Sequence, residues 1–161
     1  MKILLIGNYP HDRQASMQRM CGLLQNGLRA AGLDAEVMTP PAFAGKLLAS
    51  GSGLGKWLGY IDKFIVFPIL LKRRIKQLAG QSLVVHICDH SNAYYTRVLD
   101  GVPNIVTCHD LLAIRSALGE VPENPTGWSG KRLQSIILEG LNRARHVACV
   151  STATSHDLLR L

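Results

Sequence analysis

Five short strand-like runs, four broken at once by glycine or a polar residue and one by proline, constrain this chain most. They are Lys2–Ile6 before Gly7, Ala35–Thr39 before Pro40, Leu83–Cys88 before Asp89, Asn104–Cys108 before His109, and His146–Val150 before Ser151. A continuous apolar run of this length reads as a strand buried on both faces. Between the runs the apolar spacing changes to three and four. Met17, Met20, Cys21, Leu24, Leu28 and Ala31 mark one face of a helix, and Gly32 is its stop. Leu133, Ile136, Ile137, Leu141 and Ala144 mark another. Strands alternating with helices predict a parallel α/β sheet with right-handed crossovers, a Rossmann-like three-layer fold flanked by helices.

The remaining segments are expected as follows. Ser91 caps a short helix reaching Leu99, and Ser151 or Thr152 caps a last one. Trp57–Leu78 is one long helical pattern kinked or interrupted by Pro68. Pro40–Lys56 and Leu111–Gly130 are loops, the first of them poorly ordered. The chain has 161 residues, 47% of them hydrophobic, enough for one domain with a substantial core.

A net charge of +7 favours anionic partners. The densest basic cluster, Lys72, Arg73, Arg74 and Lys76, is too short for a nucleic-acid arm, so no nucleic acid is expected. Cys21, Cys88, Cys108 and Cys149 are widely spaced, form no CxxC pair and sit in apolar runs. They read as reduced core residues of a cytoplasmic protein. No cofactor and no metal are expected, because no His, Cys or acidic grouping has ligand spacing. The apolar start is too short for a secretory signal, and Phe64–Leu71 is far short of a membrane span.

Ligands of an open parallel sheet gather beyond the carboxyl ends of its strands. That rule selects Gly7-Asn8-Tyr9, Thr39-Pro40, Asp89-His90, His109-Asp110 and Ser151-Thr152, of which Gly7, Asn8, Asp89, His90, His109, Asp110 and Ser151 are the candidate site residues. Gly7 and the helix beginning near Ala15 suit a phosphate, or Gly7 merely permits a tight turn. His109 either donates a hydrogen bond to a substrate hydroxyl or caps the next segment with Asp110. Asp89 and His90 divide evenly between binding and structure, and His86, inside a strand, reads as a core histidine. The basic amphipathic segment 57–78 is either a peripheral membrane contact or a core-facing helix with a solvated end. Neither a dinucleotide fingerprint nor a P-loop is present.

The runs KILLIGNYP, GLLQNGLRAAGLDAEVMT, VVHICDH, NIVTCHDLLAIRSALGE and RARHVACVSTATSHDLLRL resemble the N-terminal domain of family-4 glycosyltransferases. The resemblance spans the chain, and TCHD with VSTATSHDL some forty residues later is its most specific part. It implies that residues 1–161 are the acceptor-side half of a retaining, GT-B-type enzyme; the cysteines and the basic segment 57–78 place it in the cytoplasm or peripherally at the inner membrane face. The donor-binding half, with its Glu-x7-Glu motif, would be absent and the piece alone inactive. It also implies a nucleotide-sugar donor and a carbohydrate or lipid-linked acceptor. By the same resemblance His109, the candidate catalytic residue, contacts the transferred sugar, and the loop after Gly7 approaches the donor phosphates. The family's usual Gly-Gly is Ala15-Ser16 here, so Ser16 becomes a candidate hydroxyl contact. The alternatives are a non-catalytic Rossmann-type binding module and a fragment of some other nucleotide-binding protein.

Overall fold

A computed structural model describes residues 1–12, 14–43 and 59–161. Most of the expected loop Pro40–Lys56 therefore lies outside the described residues, as do Trp57 and Leu58. The protein has an α/β, Rossmann-like fold whose five strands are all parallel. The chain divides into two compact units, Met1–Cys88 and Asp89–Leu161.

In the first unit β1 (Lys2–Ile6) lies between β2 (Asp34–Met38) and β3 (Leu83–Ile87). Its side chains from Ile3 to Ile6 are all buried, as a central strand of an apolar run must be. Registers are Ile3↔Ala35 on one side and Ile3↔Val84 on the other. Helix α1 (Ala15–Ala30) packs Cys21, Leu24 and Leu28 with Ile3, Leu5 and Cys88. Gly32 follows at φ 78°, a left-handed conformation that ends the helix cheaply only for glycine.

Lys2 Nζ lies 3.1 Å from Asp34 and 2.9 Å from Glu36. Arg74 grips Glu36 with two hydrogen bonds of 2.9 and 2.6 Å. Those bonds hold the Glu36 carboxyl below its ordinary pKa and tie β2 to helix α2 (Phe67–Gln77). The expected kink is replaced by a different irregularity. Residues Asp62–Val66 form a π-helical stretch running directly into α2, with the Phe67 amide bonded to the Asp62 carbonyl. Pro68 follows that stretch as the second residue of α2, inside one continuous helical run, where it can donate no backbone hydrogen bond to the preceding turn. Phe67 and Leu71 face inward and are fully buried.

In the second unit β4 (Asn104–Cys108) pairs with β5 (His146–Cys149), Cys108 opposite Cys149. Residues His90–Val98 wind as a 3₁₀ helix capped by Asp89, whose carboxylate accepts from the Ser91 amide. Asp89, not Ser91, is therefore the cap. The stretch 111–130 is less loop-like than expected. It contains α3 (Leu112–Ala117), and α4 (Trp128–Arg143) begins five residues before Leu133, the first position expected on that helix. Gly140 of α4 lies against the 3₁₀ helix so closely that a β-carbon there would fall 2.3 Å from the Ala93 carbonyl oxygen. Thr96 Oγ1 donates to the Gly140 carbonyl across the same contact at 3.0 Å. The last helix, α5 (Thr152–Arg160), is held by Arg115–Asp157 and by Arg160–Glu120 pairs.

Candidate functional site

The polar residues at the strand ends of the second unit share one electrostatic neighbourhood. His90, half-buried, feels Asp89, Asp110 and His109, but burial dominates and pushes its pKa below the ordinary 6.5. Its Nδ1 lies 3.3 Å from Asp89 Oδ1, within ion-pair distance. That atom is nonetheless completely buried and makes no hydrogen bond. A neutral imidazole reconciles the two observations: distance alone is not a hydrogen bond, and the lowered pKa leaves no charge to pair.

Backbone capping occupies most of the carboxylates and hydroxyls here. Asp89 is buried and holds Ser91. Asp110 is exposed, and its Oδ1 accepts from the Leu112 amide at 3.0 Å, opening α3. Ser151 Oγ accepts from the Thr154 amide at 3.1 Å and caps α5. Thr154 in turn donates its hydroxyl to the His109 carbonyl at 3.3 Å. This ties the turn after β4 to the start of α5 and fixes the backbone on which the His109 ring is mounted. Thr154 was not among the residues expected from the sequence. Its signal is the third-position polar residue after a serine cap, the spacing of a reciprocal capping pair.

His109 follows β4 immediately and is half-buried. Below it Cys108 is fully buried, and burial with the neighbouring Cys149, Asp110 and Asp89 pushes its thiol up to about 12. Such a thiol is no nucleophile at neutral pH. The ordered polar chemistry of this strand end therefore belongs to His109 and His90.

In the first unit the turn Gly7-Asn8-Tyr9 leads to α1. Gly7 donates to the Met38 carbonyl at 3.0 Å. A β-carbon on it would lie 3.1 Å from Thr39 Cγ2 and 3.3 Å from Cys21 Sγ, so close packing accounts for glycine. Asn8 is buried and donates to the Gln14 side chain. Among the described residues no side chain caps α1, and its first turn carries no acid. Ser16 lies in that turn and is exposed. His86, in β3, has its pKa lowered by burial, as a core histidine should.

A buried pair in this unit was not foreseen. Tyr9 Oη donates to Asp62 Oδ2 at 3.1 Å, and burial with that carboxylate raises the phenol to about 12. Lys63 pairs with Asp12 at 3.0 Å and stands over the Tyr9 and Tyr60 rings. The two partners are more than fifty residues apart in sequence, so no local pattern signals them.

Among the described residues no group of three or more His, Cys or acidic side chains is arranged to hold a metal ion. No described helix is long and apolar enough to cross a membrane. The family model for Glycosyltransferase Family 4 matches residues 17–161. The chain therefore belongs to Glycosyltransferase Family 4 and carries a glycosyltransferase-type domain. Searches of curated proteins and of solved structures gave no significant match.

Proposed function

We propose that this chain is the acceptor-side domain of a retaining GT-B glycosyltransferase, which moves a sugar from a nucleotide donor to a hydroxyl of a carbohydrate or lipid-linked acceptor. The donor is held by a second domain. The observation that carries the reading is the gathering of His90, His109 and Asp110 at strand ends of a family-4 domain, with the His109 backbone pinned by Thr154.

His109 is the catalytic candidate. A neutral imidazole donates one hydrogen bond to a sugar hydroxyl and accepts another. Its value lies in geometry: a donor fixed where charge builds up in the transition state needs no reorganisation. His90, whose pKa burial lowers, lies in the same electrostatic neighbourhood. Asp89, Asp110 and Ser151 act by capping the backbone turns on which the histidines sit. Gly7, Asn8 and the uncapped start of α1 with Ser16 are the proposed phosphate-facing segment, supported by helix N–H groups that no side chain among the described residues satisfies. Catalysis then rests on positioning and on stabilising the departing diphosphate.

The test is His109→Ala in the protein that carries this domain, assayed with a panel of nucleotide sugars. Turnover should fall by ~10²-fold or more, with the thermal midpoint nearly unchanged. Unchanged turnover, or unfolding of the variant, would give His109 a structural role instead. Absence of transfer from every donor by the wild type would favour a binding module.

A further inference from the structure

The turn after β1 is clamped at two points onto the helical stretch that precedes α2. Tyr9 Oη donates to Asp62 at 3.1 Å, with Tyr9 3% and Asp62 0% exposed. Three residues further along the turn, Lys63 Nζ donates to both carboxylate oxygens of Asp12, at 3.1 and 3.0 Å. Between the two clamps the turn closes on itself, the Asp12 amide donating to the Tyr9 carbonyl at 3.1 Å. The consecutive residues 62 and 63 thus hold residues 9 and 12.

The π-helical stretch makes this possible. The buried side chains of the run 60–77 are Asp62, Phe67 and Leu71, five and then four residues apart. An uninterrupted α-helix would turn Lys63, four before Phe67, toward the interior and carry Asp62 off that face. The wider turn puts the acid inside, against Tyr9, and leaves the lysine at the edge, in reach of Asp12. Single π turns inside helices frequently mark functional sites.

Stability does not call for the buried pair. A carboxylate withdrawn from water is costly unless hydrogen-bonded, and two apolar side chains of similar shape would fill the space with little loss or a gain. A hydrogen bond, unlike an apolar contact, fixes a direction. Burial, and then the bond to Asp62, raise the phenol to about 12, so it remains a donor through the neutral range. The clamped turn begins with Gly7 and Asn8, the segment set against the donor phosphates in the proposed function. Asn8 is buried and donates to Gln14, the residue before α1. Asn8 and Tyr9, neighbours in the chain, therefore tie the turn to two different helical elements.

We propose that Asp62 and Lys63 are positioning residues for sugar transfer: acting through Tyr9 and Asp12, they hold the turn Gly7–Asp12 where it meets the diphosphate of a nucleotide sugar. The inference rests on the glycosyltransferase reading for the identity of that ligand.

The experiment follows release of nucleoside diphosphate from a panel of UDP-, GDP- and ADP-sugars by the protein that carries this domain, and separates donor KM from kcat. Tyr9→Phe with Asp62→Leu replaces both buried partners by apolar groups, so the thermal midpoint should be kept. Its donor KM should rise by about tenfold or more while kcat changes far less. Asp62→Asn, which keeps an oxygen acceptor for the phenol, should raise KM much less. Lys63→Met breaks a partly exposed pair that contributes little to stability, and should raise donor KM by a smaller factor. It carries the test alone if the double variant does not fold. A donor KM equal to that of wild type in these variants overturns the proposal. So does a kcat that falls with KM unmoved, which is the signature of lost folded protein. Release from no donor by wild type removes the glycosyltransferase reading, and the proposal with it. The first two failures are seen only in variants and the last only in wild type, so they are distinguishable.

Discussion

The two compact units meet the same local problem, the turn from a parallel strand into a helix, in opposite ways. In Asp89–Leu161 a side chain braces each such turn: Asp89 caps the 3₁₀ helix, Ser151 caps α5, and Asp110, one residue before the cap position of α3, accepts from the Leu112 amide. In Met1–Cys88 the turn after β1 leaves α1 with no side-chain cap among the described residues and no acid in its first turn. The contrast separates residues that build a strand end from those that remain for a ligand. Polar identity at a strand end is thus insufficient to mark a binding residue, because helix N–H groups claim carboxylates and hydroxyls first.

The packing of helices differs just as sharply, and glycine substitution measures it. Gly140→Ala drives a β-carbon into the Ala93 backbone, which cannot move aside as a side chain would. It should destabilise the protein by about 3 kcal/mol, read as a lowered denaturation midpoint. Gly27 in α1 has nothing within 4 Å of the point where an alanine methyl would stand. Gly27→Ala should therefore stabilise by up to about 1 kcal/mol. Equal effects at the two sites would erase the distinction between a sealed helix contact and an open one.

The caps give a second, smaller test. Ser151→Ala removes the acceptor for the Thr154 amide and should cost about 1 kcal/mol. Ala15→Glu adds an acid to the exposed first turn of α1 and should stabilise by about 0.3–1 kcal/mol. If the serine change is neutral, or the glutamate change destabilises, then the two helix starts are not satisfied as described.

The smallest effect concerns pH. Burial depresses the pKa of His90 in the folded protein, so the unfolded chain binds protons more readily. Its contribution to stability is complete above the ordinary value of 6.5 and is lost as pH falls through the lower folded value. Wild type should lose thermal midpoint between about pH 7.5 and about pH 5.5, and His90→Asn should lose less. His86 in the first unit carries a shift of the same sign, so His86→Asn should remove a further share. An unaltered pH dependence in His90→Asn would show that burial of that ring is not coupled to folding.

These contrasts also explain what could be read in advance. The five strands were legible because apolar residues predominate in each, although β2 carries Asp34 and Glu36, and a glycine, proline or polar residue follows soon after. β4 matched to the residue, and α1 fell one residue short of its expected end. What failed had no local signal or had a misleading one. Ser91 looks like a helix cap, yet Asp89 two positions earlier supplies the acceptor. The α3 helix is only six residues long and is followed by Gly119, Pro122 and Pro125, so the breakers hid it. The early start of α4 follows Gly127, an extended residue with no capping side chain. For the candidate site, position along the chain was readable from the strand ends. The capping roles of Asp89, Asp110 and Ser151, and the Thr154 link to His109, depend on pairings that sequence spacing alone does not rank.

The π-helical stretch before α2 has a consequence for chain length. Its loop closes over one residue more than an α-helical turn, as the Phe67–Asp62 hydrogen bond records. Deleting one residue there would restore ordinary helix, and helicity itself would survive. Everything on the amino-terminal side would then turn by about 100° relative to Phe67 and Leu71. Asp62 would leave Tyr9, and the exposed Ile61 would no longer line up with the exposed Ile65 and Ile69. A family member shorter by one residue at this point would keep the helix and lose the outward stripe, so residue count here, more than residue identity, sets what this side of the protein displays.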